Sequence, residues 1–160
     1  MSTGSGVRVE NTKPMTVAYI SIKGSPDQIP DTFARLYAWI NQQGYRARGP
    51  AIAVYHTVPG QVPDDQLLWE LRSALSGNIA ECEPGEHGLG VKQIGAVQVV
   101  AARHKGPYET VEETFKILMD WLKKSDYEIG GPFEELYYNN PEETSSKEPL
   151  TEIRFQIRKK

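Results

Sequence analysis

The sequence predicts an α+β fold: a duplicated strand–helix–strand–strand unit, forming a pseudo-twofold antiparallel sheet with two helices on one face and a cleft at the seam between the halves. Three observations predict it. The chain matches itself at one fixed offset; each copy opens with an apolar run of strand length; and each run leads through a Lys-Gly break into an amphipathic helical stripe. Lys23-Gly24 recurs as Lys105-Gly106, 82 positions on. The same offset, without a gap, pairs Val17 with Val99, Phe33 with Phe115, Leu36 with Leu118, Trp39 with Trp121 and Tyr45 with Tyr127. It continues through Gly49-Pro50 and Gly131-Pro132, Tyr55 and Tyr137, Glu70 and Glu152, and Arg72 and Arg154. Tryptophans and Gly-Pro dipeptides are uncommon enough that coincidence is a poor explanation. Residues 15–75 and 97–157 are therefore read as two repeats, joined by a loop over 76–90.

In chain order, 7–10 is expected to add a first edge strand. The runs 15-MTVAYISI-22 and 97-VQVVAARH-104 have strand length and composition. In the first repeat Ile29, Phe33, Leu36 and Ile40 form one helical stripe, begun near Ser25-Pro26 and stopped at Gly44. In the second, Val111, Phe115, Leu118 and Leu122 form the matching stripe, and Thr110 with Glu113 has capping-box spacing. Gly49-Pro50 and Gly131-Pro132 are expected to mark turns. Two strands follow in each repeat, at 51–57 with 67–75 and at 133–138 with 150–157. The joint 76–90 is rich in Gly and acidic residues, with a short strand expected near 91–94. The stretch 139–149 reads as a polar loop. A lone unit would expose a sheet edge and apolar surface, so the two units are expected to combine, leaving the face opposite the helices to form the cleft.

The 160 residues suffice for one domain with a core, and 39% hydrophobic with 24% charged is ordinary for a globular chain. A net charge of −3 from 18 basic and 21 acidic residues argues against direct nucleic-acid binding and suits cationic or neutral partners. Cys82 is the only cysteine, which makes a reducing compartment the default. No apolar run reaches membrane-span length, and MSTGSGVRVE lacks a charged n-region before an apolar block, so a cytoplasmic location is expected. His56, His87 and His104 are too dispersed to suggest a metal centre and are read as surface or strand-edge residues. No cofactor and no metal are expected.

In a duplicated scaffold, positions that serve only the fold can stay alike while site positions diverge. Strand alternation puts Phe133, Glu135 and Tyr137 of 132-PFEELYY-138 on one face. Tyr137 matches Tyr55, but Glu135 matches Ala53 and Phe133 matches Ala51. One half therefore carries a carboxylate where the other carries a methyl. A strand face with an acid, aromatics and two alanines suits a flat ligand. Trp69, whose mate is Thr151, and Tyr108, whose mate is Pro26, are further candidate aromatic walls. Glu70 and Glu152, kept in both halves beside Arg72 and Arg154, are read as scaffold, either same-face ion pairs or contacts to the connecting loops. Trp39 and Trp121 are read as packing.

The run 105-KGPYETVEETFKILMDWLKKSDYEIGGPFEELYYNNPEE-143, followed by 150-LTEIRFQI-157, resembles the GyrI-like domain, which also serves as the effector-binding domain of AraC- and MerR-type regulators. Gly106-Pro107-Tyr108, the Trp121-Leu122 and Tyr127 helix end, and the Pro132-Phe133-Glu134 region carry the likeness. The first half matches through Lys23-Gly24, Trp39, Gly44-Tyr45 and 68-LWEL-71. The resemblance covers nearly the whole chain and implies a single domain over 1–160. It implies a binding module for lipophilic, cationic aromatic molecules, with Glu135 as the central acid and Tyr55, Trp69, Tyr108 and Tyr137 around the ligand; the strand pattern adds Phe133. It also implies two alternatives. One is a hydrolase of reactive molecules such as cyclopropane-bearing alkylators, with Glu135 activating water and Tyr137 assisting. The other is a protein-interaction role of the gyrase-inhibitor kind. About a dozen residues precede the first clear strand, so a regulatory role is expected to need a DNA-binding or other protein partner in trans.

Overall fold

The computed structural model describes residues 6–57, 62–85, 88–105, 111–138 and 150–160. The fold is α+β, and every strand pair of register within a unit is antiparallel. The chain divides into two compact units, Lys13–Ala96 and Met1–Thr12 with Val97–Lys160. The first holds the first repeat and the second holds the second. Each adds one short outer strand from outside its repeat.

In the first-repeat unit, strand β2 (Met15–Lys23) leads to helix α1 (Ile29–Gln42), then to strands β3 (Ala47–Tyr55) and β4 (Leu68–Leu75). Strand β5 (Leu89–Ile94) pairs with the outer side of β2, giving the sheet order β3-β4-β2-β5. The second-repeat unit begins with β1 (Arg8–Asn11), then β6 (Gln98–Lys105), helix α2 (Val111–Lys124), β7 (Tyr127–Tyr137) and β8 (Leu150–Lys159). Its sheet order is β1-β6-β8-β7. Thus β1 stands beside β6 as β5 stands beside β2. Thr110, His87, Tyr108 and the 139–149 stretch lie outside the described residues, so the expected capping box is not placed.

The onset of α1 is set locally. Ser25 Oγ accepts from the Asp27 N–H at 3.2 Å and opens a single 3-10 turn over Pro26–Gln28. Pro30 falls in the first turn of α1, where a missing N–H costs no helical bond. Leu36, Trp39 and Ile40 are buried, each burial stabilising by about 1.5–3 kcal/mol. The exit is at Gly44, whose φ of +78° a side-chained residue resists. After each helix an aromatic pair closes the corner: Trp39 meets Tyr45 and Trp121 meets Tyr127, both at 5.9 Å between ring centroids.

One expectation is corrected. Gly49-Pro50 and Gly131-Pro132 are not turns between elements. They interrupt the registers of β3 and β7, between Arg48 and Ala51 and between Ile129 and Phe133. A bulge needs what a turn needs, a residue tolerant of positive φ or one without an N–H to pair. Gly49, at φ +73°, and Pro50 supply both. The strands therefore start earlier than expected, at Ala47 and Tyr127.

Alternation along β4 and β8 assigns the faces. Tyr37 of α1 hydrogen-bonds Ser73, so Trp69, Leu71, Ser73 and Leu75 lie on the helix side. Phe115 of α2 packs on Phe133 and Phe155 at 5.2 and 5.4 Å, so Phe133, Glu135 and Tyr137 also lie on the helix side of their sheet. The opposite faces hold the retained glutamates in ion pairs. Glu70 is held by Arg72, by Lys92 at 2.8 Å and, more distantly, by His56 at 4.0 Å. Burial pushes the Glu70 carboxyl up, but Arg72 and Lys92 outweigh it and hold it below the ordinary value. Glu152, with its side chain 1% exposed, is held by Arg8, by Arg103 at 3.5 Å and by Arg154 at 3.9 Å. Arg8 thereby fastens β1 to the second repeat. Among the described residues no helix is long and apolar enough to cross a membrane.

Candidate functional site

The helix side of the second-repeat sheet can be built row by row from the strand register. Val100, Phe155 and Phe133 form the first row, across β6, β8 and β7. Ala102, Ile153 and Glu135 form the second; His104, Thr151 and Tyr137 form the third. The first row is apolar and packs on Phe115. The third is polar throughout and lies where β6 and β7 end and β8 begins.

Glu135 is 4% exposed. Its Oε1 accepts a hydrogen bond from the Tyr137 hydroxyl at 2.5 Å. A buried carboxylate is costly unless donors meet it. The alternation of β7 supplies such a donor from the residue two places on. His104 is 7% exposed, with Nδ1 3.1 Å from Oγ1 of Thr114, itself buried in the first turns of α2. Thr151, 4% exposed, stands between His104 and Tyr137. Glu135, Thr151, His104 and Thr114 therefore make a buried polar corner on an otherwise apolar face.

Two expectations change here. The acid does not lie on the face opposite the helices; it shares the helix side with Phe115, while the opposite face is occupied by the Glu152 ion cluster. The reason is that Phe133 packs under α2, and alternation carries Glu135 and Tyr137 to the same side. Nor is His104 a surface or strand-edge residue. It is buried two strands from the acid, whereas His56 is exposed. The signal for His104 was in the repeat, since its mate at the same offset is Ile22.

The remaining candidates are placed as follows. Phe133 is buried in the Phe115–Phe155 cluster. Tyr55, 3% exposed, pairs across β3 and β4 with Trp69, 1% exposed. Trp69 donates through Nε1 to the Gly24 carbonyl at 2.8 Å, which fastens the end of β2 and gives this tryptophan a place in the core. Tyr108 lies outside the described residues. Among the described residues no group of His, Cys, Asp and Glu is arranged to hold a metal ion. A shallow surface groove of about 420 Å³ in the first-repeat unit, lined by Met15, Thr16, Arg48, Leu75, Ser76 and Gln93 among others, contains none of the expected site residues.

Comparison with known proteins places the fold and the family. The C-terminal domain of EcmrR is similar at 19% identity over 96% of this chain and 98% of that one, with a TM-score of 0.75. EcmrR in its complex with DNA is similar at 17% identity and a TM-score of 0.81; the match covers 96% of this chain but only 57% of that one. A hydrolase encoded by lin2189 from Listeria innocua is similar at 11% identity over 96% and 92% of the two chains, with a TM-score of 0.69. SAV2435 bound to tetraphenylphosphonium is similar at 13% identity over 95% and 93%, with a TM-score of 0.58. At these identities the likeness is one of fold. No curated protein sequence matches the chain. The model of the GyrI-like small molecule binding domain matches residues 5–158, and the chain belongs to that family.

Proposed function

We propose that this domain binds lipophilic aromatic cations, with Glu135 as the counter-charge. The observation that carries the reading is the carboxylate itself: it is 4% exposed, anchored by Tyr137 and set beside Phe133, Phe155, Ile153 and Ala102 on one side and the polar row of His104 and Thr151 on the other. A delocalised cation offsets the cost of holding that charge away from water, and ring contacts add about 0.5–2 kcal/mol each. Ring stacking tolerates varied shapes, so the reading includes a promiscuous, multidrug-like range of ligands. Tetraphenylphosphonium, the ligand in the SAV2435 structure, is a cation of this class. Phe133, on the same strand face of the same unit, completes the proposal as an aromatic neighbour of the ligand. Crystals grown with a panel of aromatic cations test it. The expected result is ligand density with its positive centre against Glu135; density only elsewhere, or none, contradicts it.

A second reading rests on the Tyr137–Glu135 hydrogen bond. Glu135 could take a proton from water while the Tyr137 hydroxyl supports a substrate oxygen, the chemistry of a small-molecule hydrolase. Incubation with a strained electrophile, followed by mass spectrometry, separates the two readings. Multiple turnovers favour hydrolysis, and a single adduct or none favours binding.

A further inference from the structure

The acid is one of three neighbouring positions where the units differ in the same sense. Glu135, Thr151 and His104 occupy adjoining places in the second and third rows of the helix side. Their mates at the repeat offset are Ala53, Trp69 and Ile22, all apolar. Thr114 is kept as Thr32, but the partner differs. Thr32 donates back to the carbonyl of Gln28, the residue just before its own helix, at 2.7 Å, whereas Thr114 reaches across to His104. Only the second-repeat unit has its α2 threonine turned to a sheet histidine. Burying each polar side chain costs free energy that its apolar mate does not cost, so a scaffold role leaves the concentration of three such changes in one patch unexplained.

We infer that His104 and Thr151 form the polar end of the ligand site and select cations carrying a hydrogen-bonding group remote from the positive centre. The inference rests on the proposed function of Glu135 and specifies its ligand class. The distance follows from the register. Two strand spacings separate Tyr137, where the carboxylate is anchored, from His104, which is about 10 Å. A ligand matching this arrangement has its cationic centre where the Glu135 carboxylate meets the Tyr137 hydroxyl, an aromatic body directed along the third row past Thr151, and a hydroxyl or carbonyl about 10 Å away, within reach of the His104 ring. Thr114 acts as the positioning residue, fixing the ring from α2 through Nδ1.

The test uses two probes on the full chain: (4′-hydroxybiphenyl-4-yl)trimethylammonium and its parent without the hydroxyl, titrated by calorimetry. The wild-type protein should prefer the hydroxyl probe by about 3- to 10-fold, the worth of one net hydrogen bond. That ratio should fall towards one in His104→Ile, which restores the first-repeat residue, and also in Thr151→Val, which serves should the histidine variant fail to fold. A wild-type ratio of one overturns the inference, as does a ratio preserved in both variants while both probes weaken alike. If both probes bind equally and Glu135→Gln weakens both, the inference fails while the cation reading stands; if neither probe binds, both fail.

Discussion

The two units share a frame and differ in one patch. Both hold a buried glutamate in a cluster of basic side chains on the face away from the helix, Glu70 with Arg72 and Lys92, and Glu152 with Arg8, Arg103 and Arg154. Both close the helix end with a Trp–Tyr pair and bend a long strand at Gly-Pro. On the helix side they part. The first-repeat unit fills the corner with Ile22, Ala53 and Trp69, and the second sets His104, Glu135 and Thr151 there. The difference teaches which buried charge belongs to the architecture. Glu70 and Glu152 recur with basic partners and are held as ion pairs. Glu135 does not recur: its mate at the repeat offset is Ala53, and its Oε1 accepts from the Tyr137 hydroxyl.

The comparison can be broken first at Trp69 and its mate Thr151. Trp69→Ala should destabilise the first-repeat unit by about 3–5 kcal/mol, because the indole is fully buried and its N–H holds Gly24. Thr151→Val should move stability by only about 1 kcal/mol. Equal losses in urea unfolding would show that the two positions do the same work. The shared ion clusters come next. Arg72→Ala should cost about 3 kcal/mol by leaving the buried Glu70 with only Lys92 and the more distant His56 of the partners named above. The pH dependence follows from the same carboxyl. Because Glu70 is held below its ordinary value in the folded state, its stabilisation is fully present above the unfolded-chain value and is lost as pH falls through the lower folded value. Acid unfolding followed by circular dichroism should therefore be less steep in Glu70→Gln than in the wild type; unchanged steepness would contradict this assignment. A smaller effect is expected at Tyr137. Tyr137→Phe removes one donor from Glu135 and should cost about 1–2 kcal/mol in stability, read from the same urea titration.

Much of this was legible in the residues because duplication writes each element twice. The apolar run, the Lys-Gly break, the helical stripe and two further strands recur at one spacing, so weak signals in either copy reinforce each other. The partner of Glu135 on β7 was legible too, since alternation alone puts Tyr137 beside it. Three features were not. Gly49-Pro50 carries the same signature in a bulge as in a turn, and only the cross-strand register distinguishes them. Alternation sorts side chains into two faces without saying which face a helix covers; that depended on Phe115 meeting Phe133. His104 was obscured by its flanks, Arg103 and Lys105, which give the end of β6 the look of an exposed tip. Its burial depends on Thr114 descending from α2, a contact between residues of different elements that spacing does not encode.

The central claim is that Glu135 acts as the counter-charge for a cation. Its most direct test is a pair of titrations, tetraphenylphosphonium and uncharged triphenylphosphine oxide, against the wild type and Glu135→Gln. Losing the carboxylate should weaken the phosphonium at least about tenfold and leave the neutral compound nearly unaffected. Equal affinity of the phosphonium for both proteins, with the neutral compound bound as tightly, would contradict the account.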